Sequence, residues 1–142
     1  MEAFIKGNPK PQPRPRACMR GRRAGIYNPP SADEWKAKIA AGMVKYANRD
    51  YKRPFMLFLT FYMKRPLSHY GTGRNAHKIK ASAPEYHLQT PDIDNLTKAV
   101  MDAITVLNVW RDDSQVISLT ACKVWSDCRD EAGVNIAIEP AD

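Results

Sequence analysis

The run FMLFLTFYM, Phe55 to Met63, constrains this chain most. It is far too short to cross a bilayer, which takes about 20 apolar residues. It has the length of a strand and is apolar almost continuously, broken only by Thr60, as a central strand covered on both faces is. The chain around it must therefore supply neighbouring strands and covering helices. Its 142 residues fit one domain with a modest core.

Those neighbours are readable. Residues 2–6 (EAFIK) form a short strand that stops at Gly7. Ser31 opens a helix, because SADE, Ser31 to Glu34, matches a capping box in which serine and glutamate each satisfy a free backbone N–H. Trp35, Ile39, Met43 and Tyr46 then recur at helical spacing and read as core. Leu96, Ala99, Val100, Ala103, Ile104 and Leu107 make a second helical stripe. Ser114–Trp125 and Gly133–Glu139 read as strands, with SDCRDEAG as the hairpin turn between them. The expected fold is α/β of the α+β kind: a single domain, 1–142, with a mixed sheet of about four to five strands. Two helices pack on one face and another face is left for a dimer contact, through residues such as Ile117 or Leu119.

The formal net charge is +7, which points to an anionic partner, nucleic acid first. The charge is concentrated in two places. Before Pro30, Lys6, Lys10, Arg14, Arg16, Arg20, Arg22 and Arg23 face only Glu2. Most of these lie in a proline-rich arm, 8–25, whose four prolines forbid helix and interrupt strand pairing. The arm is either solvated or a phosphate-binding segment, and clustered arginines favour the second. The connection 64–90 opens with Lys64, Arg65, Arg74, Lys78 and Lys80 and no acid. A polar loop this long inside a compact domain is functional or disordered. Its tyrosines, Tyr70 and Tyr86, and its histidines either pack the loop or stack on bases.

Cys18, Cys122 and Cys128 cannot all pair within one chain, and their spacing is not that of a zinc site. Reduced thiols in a cytoplasmic protein are the simpler reading. The N-terminus, MEAFIKGNPK, has no apolar signal region, and no segment suits a membrane.

Against this basic background stands PDIDNLTKAVMDAI, Pro91 to Ile104, followed by Asp112-Asp113. If Asp92 to Asp94 is extended, both carboxylates point to one side, with Cα atoms about 6.5–7 Å apart. Asp94 or Asn95 then caps the helix. Lys98 and Asp102 follow Asp94 by one and two turns on the same face. The chain after the helix is long enough to bring Asp113 back beside Asp92 and Asp94. Three carboxylates about 5 Å apart repel by about 3 kcal/mol per pair at an effective dielectric near 20. A cation would relieve this, and hard oxygen ligands suit Mg²⁺ or Mn²⁺. Such a metal activates water and offsets charge on a phosphate, with Lys98 adding positive charge nearby.

Two other classes compete. A phosphatase with an aspartate nucleophile also shows DxD, but it wants an apolar strand running into the first aspartate, where this chain has YHLQTP. A non-catalytic basic nucleic-acid-binding module would hold the same acids as caps and turns.

The order PDIDNLTKAVMDAI then RDDSQV resembles the signature of the RusA family of Holliday-junction resolvases, endodeoxyribonucleases of bacteria and phages. PKPQPRPR and SHYGTGRN resemble phage-type members. The resemblance implies a cytoplasmic homodimer, in a bacterial or phage-infected cell, that cuts two opposed strands of a four-way junction with Mg²⁺ during recombination and repair. It assigns Asp92, Asp94 and Asp113 as the essential metal-holding carboxylates and Lys98 as the essential lysine. Asn95 matches an orienting asparagine, and Asp102 and Asp112 match further family acids. Lys10, Arg14, Arg16, Arg20, Arg22 and Arg23 in the arm, with Lys64, Arg65, Arg74, Lys78 and Lys80 in the loop, are then the DNA contacts.

Overall fold

The computed structural model describes residues 1–48, 52–127 and 131–142. Phe55–Met63, here β4, lies inside a four-stranded mixed sheet of order β1-β6-β4-β5. β1 is Glu2–Lys6, β5 is Val116–Trp125 and β6 is Gly133–Pro140. Two helices cover one face: α1, Asp33–Met43, and α2, Ile93–Val106. Trp35, Ile39 and Met43 of α1 meet Leu96, Val100 and Ile104 of α2 in one core. The sheet closes it with Leu57, Leu59, Phe61, Val134, Ile136 and Ile138. Both helical stripes are thus buried as the sequence predicts, except that Tyr46, beyond the end of α1, and Leu107 are only half-buried.

The expectation that β4 is covered on both faces needs correction. Its residues alternate between buried and half-buried, so only the helix side is sealed, and Met56, Phe58 and Tyr62 stay partly open on the other side. The expected hairpin between the last two strands is also absent. β5 runs parallel to β4 on one side and β6 antiparallel on the other, so the chain crosses β4 between them. Cys128 and residues 129–130 of that connection lie outside the described residues. Parallel strands need a crossover, and α2 is that crossover between β4 and β5. This topology delivers both ends of α2 to the ends of β5.

The helix start at Ser31 is not the expected capping box. Pro30–Ala32 form a 3₁₀ turn, α1 begins at Asp33, and no side chain caps it. Proline at the first position of that turn removes one of the N–H groups that a cap would satisfy. The arm differs more. Its prolines end at Pro15, and the segment after them forms an antiparallel hairpin, β2 (Arg16–Arg20) with β3 (Arg23–Tyr27). Gly21 at φ +63° opens its two-residue turn, the place where a side chain is strained and glycine is not.

The 64–90 loop is built around Arg65, which is only 7 % exposed. Its Nε donates to the Ser126 carbonyl at 2.7 Å and its Nη1 to the Pro84 carbonyl at 2.8 Å. Arg65 is therefore an internal pin, with its guanidinium turned to these two carbonyls where an exposed DNA contact was expected. His69 and His87 set their rings edge-on to Trp125, and Tyr70 is buried, so these three pack the loop. Burial first, then Lys123, pushes the His87 pKa down and keeps that ring neutral. Tyr86 and Lys64, Arg74, Lys78 and Lys80 remain exposed. Cys18 and Cys122 are free thiols. No helix among the described residues is long and apolar enough to cross a membrane.

Candidate active site

α2 is amphipathic, and its polar strip carries Asp94, Lys98, Asp102 and Thr105 at spacings that share one face. Lys98 Nζ lies 2.8 Å from Asp102 Oδ1, one turn away on the helix. It also lies 3.0 Å from Asp113 Oδ2, which arrives from a separate element. The Lys98 ammonium donates to both carboxylates, and these two hydrogen bonds, that to Asp102 first, raise its pKa and keep it charged.

Asp113 is positioned by a turn with its own caps. Asp112 is the N-cap of a 3₁₀ turn, Asp113–Gln115, and its carboxylate accepts from the Ser114 N–H at 2.9 Å. Gln115 Oε1 accepts from the Arg111 N–H at 2.7 Å, and its amide donates to the Arg53 carbonyl at 2.9 Å. The D-x-x-Q spacing of a capping box was there in the sequence. Asp112 therefore builds the turn, and hydrogen bonding to Ser114 holds its carboxyl below the usual range.

Two residues that sequence reasoning missed hold the other side of Asp113. Thr105 Oγ1 lies 2.8 Å from Asp113 Oδ1. The fully buried Trp110 donates its indole N–H to that hydroxyl at 2.7 Å. Thr105 Oγ1 also lies 2.9 Å from the Met101 carbonyl, but a carboxylate is the stronger acceptor for its single proton. The only signal for Thr105 was its place on the strip, three residues after Asp102. Trp110 carried none, since a tryptophan before RDD reads as core.

Asp92 and Asp94 stand elsewhere than expected. Asp92 is the N-cap of α2, without a side-chain cap bond, and Asp94 is inside the first turn. Neither Asp94 nor Asn95 is the cap. Residues two apart at a helix start do not face each other, so the extended arrangement with both carboxylates on one side is not formed. Asp94 Oδ1 accepts from the Asn95 N–H at 2.8 Å. Asp113 meets the middle and end of α2, at Lys98 and Thr105, and not its start. Asp94 lies one turn before Lys98, about 6 Å along the axis. Among the described residues, no three histidine, cysteine or acidic side chains stand together as a metal-holding set. The carboxylate oxygens are the right donors for a hard cation, but Asp92, Asp94 and Asp113 do not converge on one point.

The lead-in to α2 is fixed from β5. Lys123 Nζ donates to the carbonyls of Gln89 at 2.6 Å and Pro91 at 2.7 Å. From the other side, the Gln12 N–H donates to the Asn95 carbonyl at 2.9 Å, which ties the proline-rich segment to the first turn. A cleft of about 560 Å³ results, lined by Lys98, Asp102, Thr105, Asp112 and Asp113 and rimmed by Gln12 and Asn28. A second hollow of about 770 Å³, with Lys64, Gln89, Thr90 and Pro91 in its wall, opens just ahead of Asp92.

The family Endodeoxyribonuclease RusA matches residues 6–139, so the match takes in the hairpin, the strip and the cleft together. The chain belongs to the RusA family. The chain is also 28 % identical over 127 residues to the uncharacterized protein YqaN of Bacillus subtilis (strain 168), covering 87 % of this chain and 86 % of that one. That relative's description supplies no activity, so the RusA match alone bears on function.

Proposed function

We propose that this chain is a Mg²⁺-dependent, structure-selective endonuclease that resolves four-way (Holliday) junctions in DNA recombination and repair. The observation that carries the reading is the meeting of Lys98 with Asp113, from separate elements, in a cleft of a RusA chain. Strand cutting adds the oxygen of a water to a phosphorus and breaks one P–O bond of the backbone. Lys98 presents a charged ammonium to the phosphate on which negative charge grows. Thr105 and the Asp112 turn keep Asp113 oriented while DNA enters. The carboxylates of Asp92, Asp94 and Asp113 offer the oxygen donors that a divalent ion takes, and they would hold one between them only after drawing closer together than they stand here. Such an ion, when bound, polarises water and offsets phosphate charge.

Exposed Lys10, Arg14, Arg16, Arg20, Arg22 and Arg23 on one segment and Lys64, Arg74, Lys78 and Lys80 on the other hold the junction backbone. Two cuts call for two sites, hence a homodimer, and two-fold pairing matches a nearly symmetric substrate. The edge strand β5, with Ile117 63 % and Leu119 48 % exposed, offers a contact for the second copy. The deciding experiment sets labelled four-way junction, linear duplex, flap and single strand side by side, with Mg²⁺ and with EDTA. Paired cuts in the junction with Mg²⁺ alone are expected. Equal binding in both conditions with no cutting would make the chain a non-catalytic DNA-binding module.

A further inference from the structure

The β2–β3 hairpin stands out from the body with every residue exposed except Cys18, which is half-buried. Its register divides it into two chemically different faces. Cross-strand partners share a face, and faces alternate along a strand. Ala17 opposite Ile26 and Met19 opposite Ala24 therefore make one face wholly apolar. Arg16 opposite Tyr27 and Arg20 opposite Arg23 flank Cys18 and Gly25 on the other. Met19 is 67 % exposed and Ile26 78 %. A two-stranded ribbon is marginal by itself in water, and an exposed apolar face makes it more so.

Charge decides what covers that face. Arg16, Arg20, Arg22 and Arg23 crowd the ribbon, and no acid occurs between Ala3 and Ala32. Two such ribbons face to face would repel, whereas a polyanion neutralises them. The ribbon also springs from the cleft, since Gln12 and Asn28 on its two flanks form the cleft rim. Five residues per strand carry it about 17 Å outward. A DNA branch point offers the matching surface. Where strands exchange, the end base pair of each arm can lose its stacked neighbour and show an apolar face bordered by phosphates. Aliphatic side chains inserted at base steps are a known way to cover such faces.

We propose that the β2–β3 ribbon is a branch-point wedge, with Met19 and Ile26 covering unstacked base pairs and its arginines on the phosphates beside them. This rests on the chain's acting on branched DNA, and it adds the device that selects the branch. The test uses a four-way junction carrying 2-aminopurine at the branch point, or well inside one arm, in EDTA. The full-length protein should raise fluorescence several-fold at the branch only. Met19→Thr with Ile26→Thr keeps β-propensity and removes most of the apolar face. It should return the signal to that of free junction and weaken junction binding about tenfold, the scale of one aliphatic side chain unburied. Linear duplex binding should change less than twofold. Met19→Phe, which enlarges the face, should keep or raise the signal.

A double variant that still unstacks the branch as wild type does would overturn the proposal. So would a change of its mass in light scattering without DNA, which would give the apolar face to a second copy. If the branch signal depends on Met19 and Ile26 but no strand is ever cut with Mg²⁺, the wedge stands and the nuclease reading fails.

Discussion

Thr105 Oγ1 and Asp113 Oδ1 lie 2.8 Å apart, although one residue sits in the last turn of α2 and the other begins the turn into β5. With Lys98 on its second oxygen, Asp113 is held at both ends of its carboxylate. Removing the hydroxyl should loosen one end only. Thr105→Val keeps shape, and we expect it to slow junction cleavage by roughly tenfold to a hundredfold, the scale of a hydrogen bond to a charged group. Thr105→Ser should restore most of the rate. Thermal unfolding of both variants checks that the loss is not one of folding, and a Ser variant as slow as Val would remove the hydroxyl from the site.

Lys98 should titrate above the ordinary lysine range in metal-free protein, because Asp102 and then Asp113 hydrogen-bond its charged form. A raised folded pKa means that this stabilisation is complete below the ordinary lysine value and fades as pH rises through the raised one. NMR of the lysine side chains in EDTA reads it directly. Asp102→Asn should lower the value more than Asp113→Asn does, and the reverse order would show that Asp113 is the stronger partner. Lys98→Ala should leave junction binding intact and slow hydrolysis by about 10²-fold.

Asp92→Asn, Asp94→Asn and Asp113→Asn should each abolish cutting while binding persists, since asparagine keeps shape and removes ligand charge. Cleavage in Mg²⁺ and gel-shift binding in EDTA separate the two. Near-normal cutting by any one of them takes that residue out of the chemistry.

The arginines divide by burial. Arg65→Ala should destabilise the fold by about 1–3 kcal/mol, because two carbonyls lose a charged donor, with no change in the salt dependence of DNA binding. Replacing Arg14, Arg16, Arg22 and Arg23 by alanine should do the opposite. Stability should hold, and the slope of log affinity against log salt should flatten by about 0.9 for each DNA phosphate that the variant no longer neutralises. Chemical denaturation and a salt titration measure both.

The core was legible in the sequence wherever one period ruled. Trp35, Ile39 and Met43 repeat at helical spacing, so their burial followed from pattern, whereas the nearly unbroken apolar run Phe55–Met63 hid that only its alternate residues are sealed. The connections were not legible in the same way. Whether β6 pairs with β5 or with β4 is decided by long-range competition among apolar strands, and nothing local in SDCRDEAG settles it. The ribbon was missed because the prolines at 9–15 were allowed to speak for residues 16–27, which contain none. In the site, charge spacing along α2 put Lys98 and Asp102 on one face, where they form an ion pair. Arg65 looked like its basic neighbours, and only the fold's need for a donor at Ser126 and Pro84 sets it apart. The partners of Asp113 depend on where a turn lands against a helix, which no spacing rule reaches.

β5 grips the site at both of its ends. The turn that feeds its first residue carries Asp113 to Lys98 and Thr105, and near its last residues Lys123 holds the carbonyls just before Asp92. The strand therefore acts as a gauge block between the two halves of the acidic strip, its length set by its rungs on β4. Inserting or deleting two residues within Val116–Cys122 would preserve which side chains face inward and let the sheet form, yet shift one grip by nearly 7 Å relative to the other. Tolerance to such length changes is thus a measure of function alone. RusA chains with altered β5 length should fold and fail to cut, unless the span between α2 and the strand changes to match.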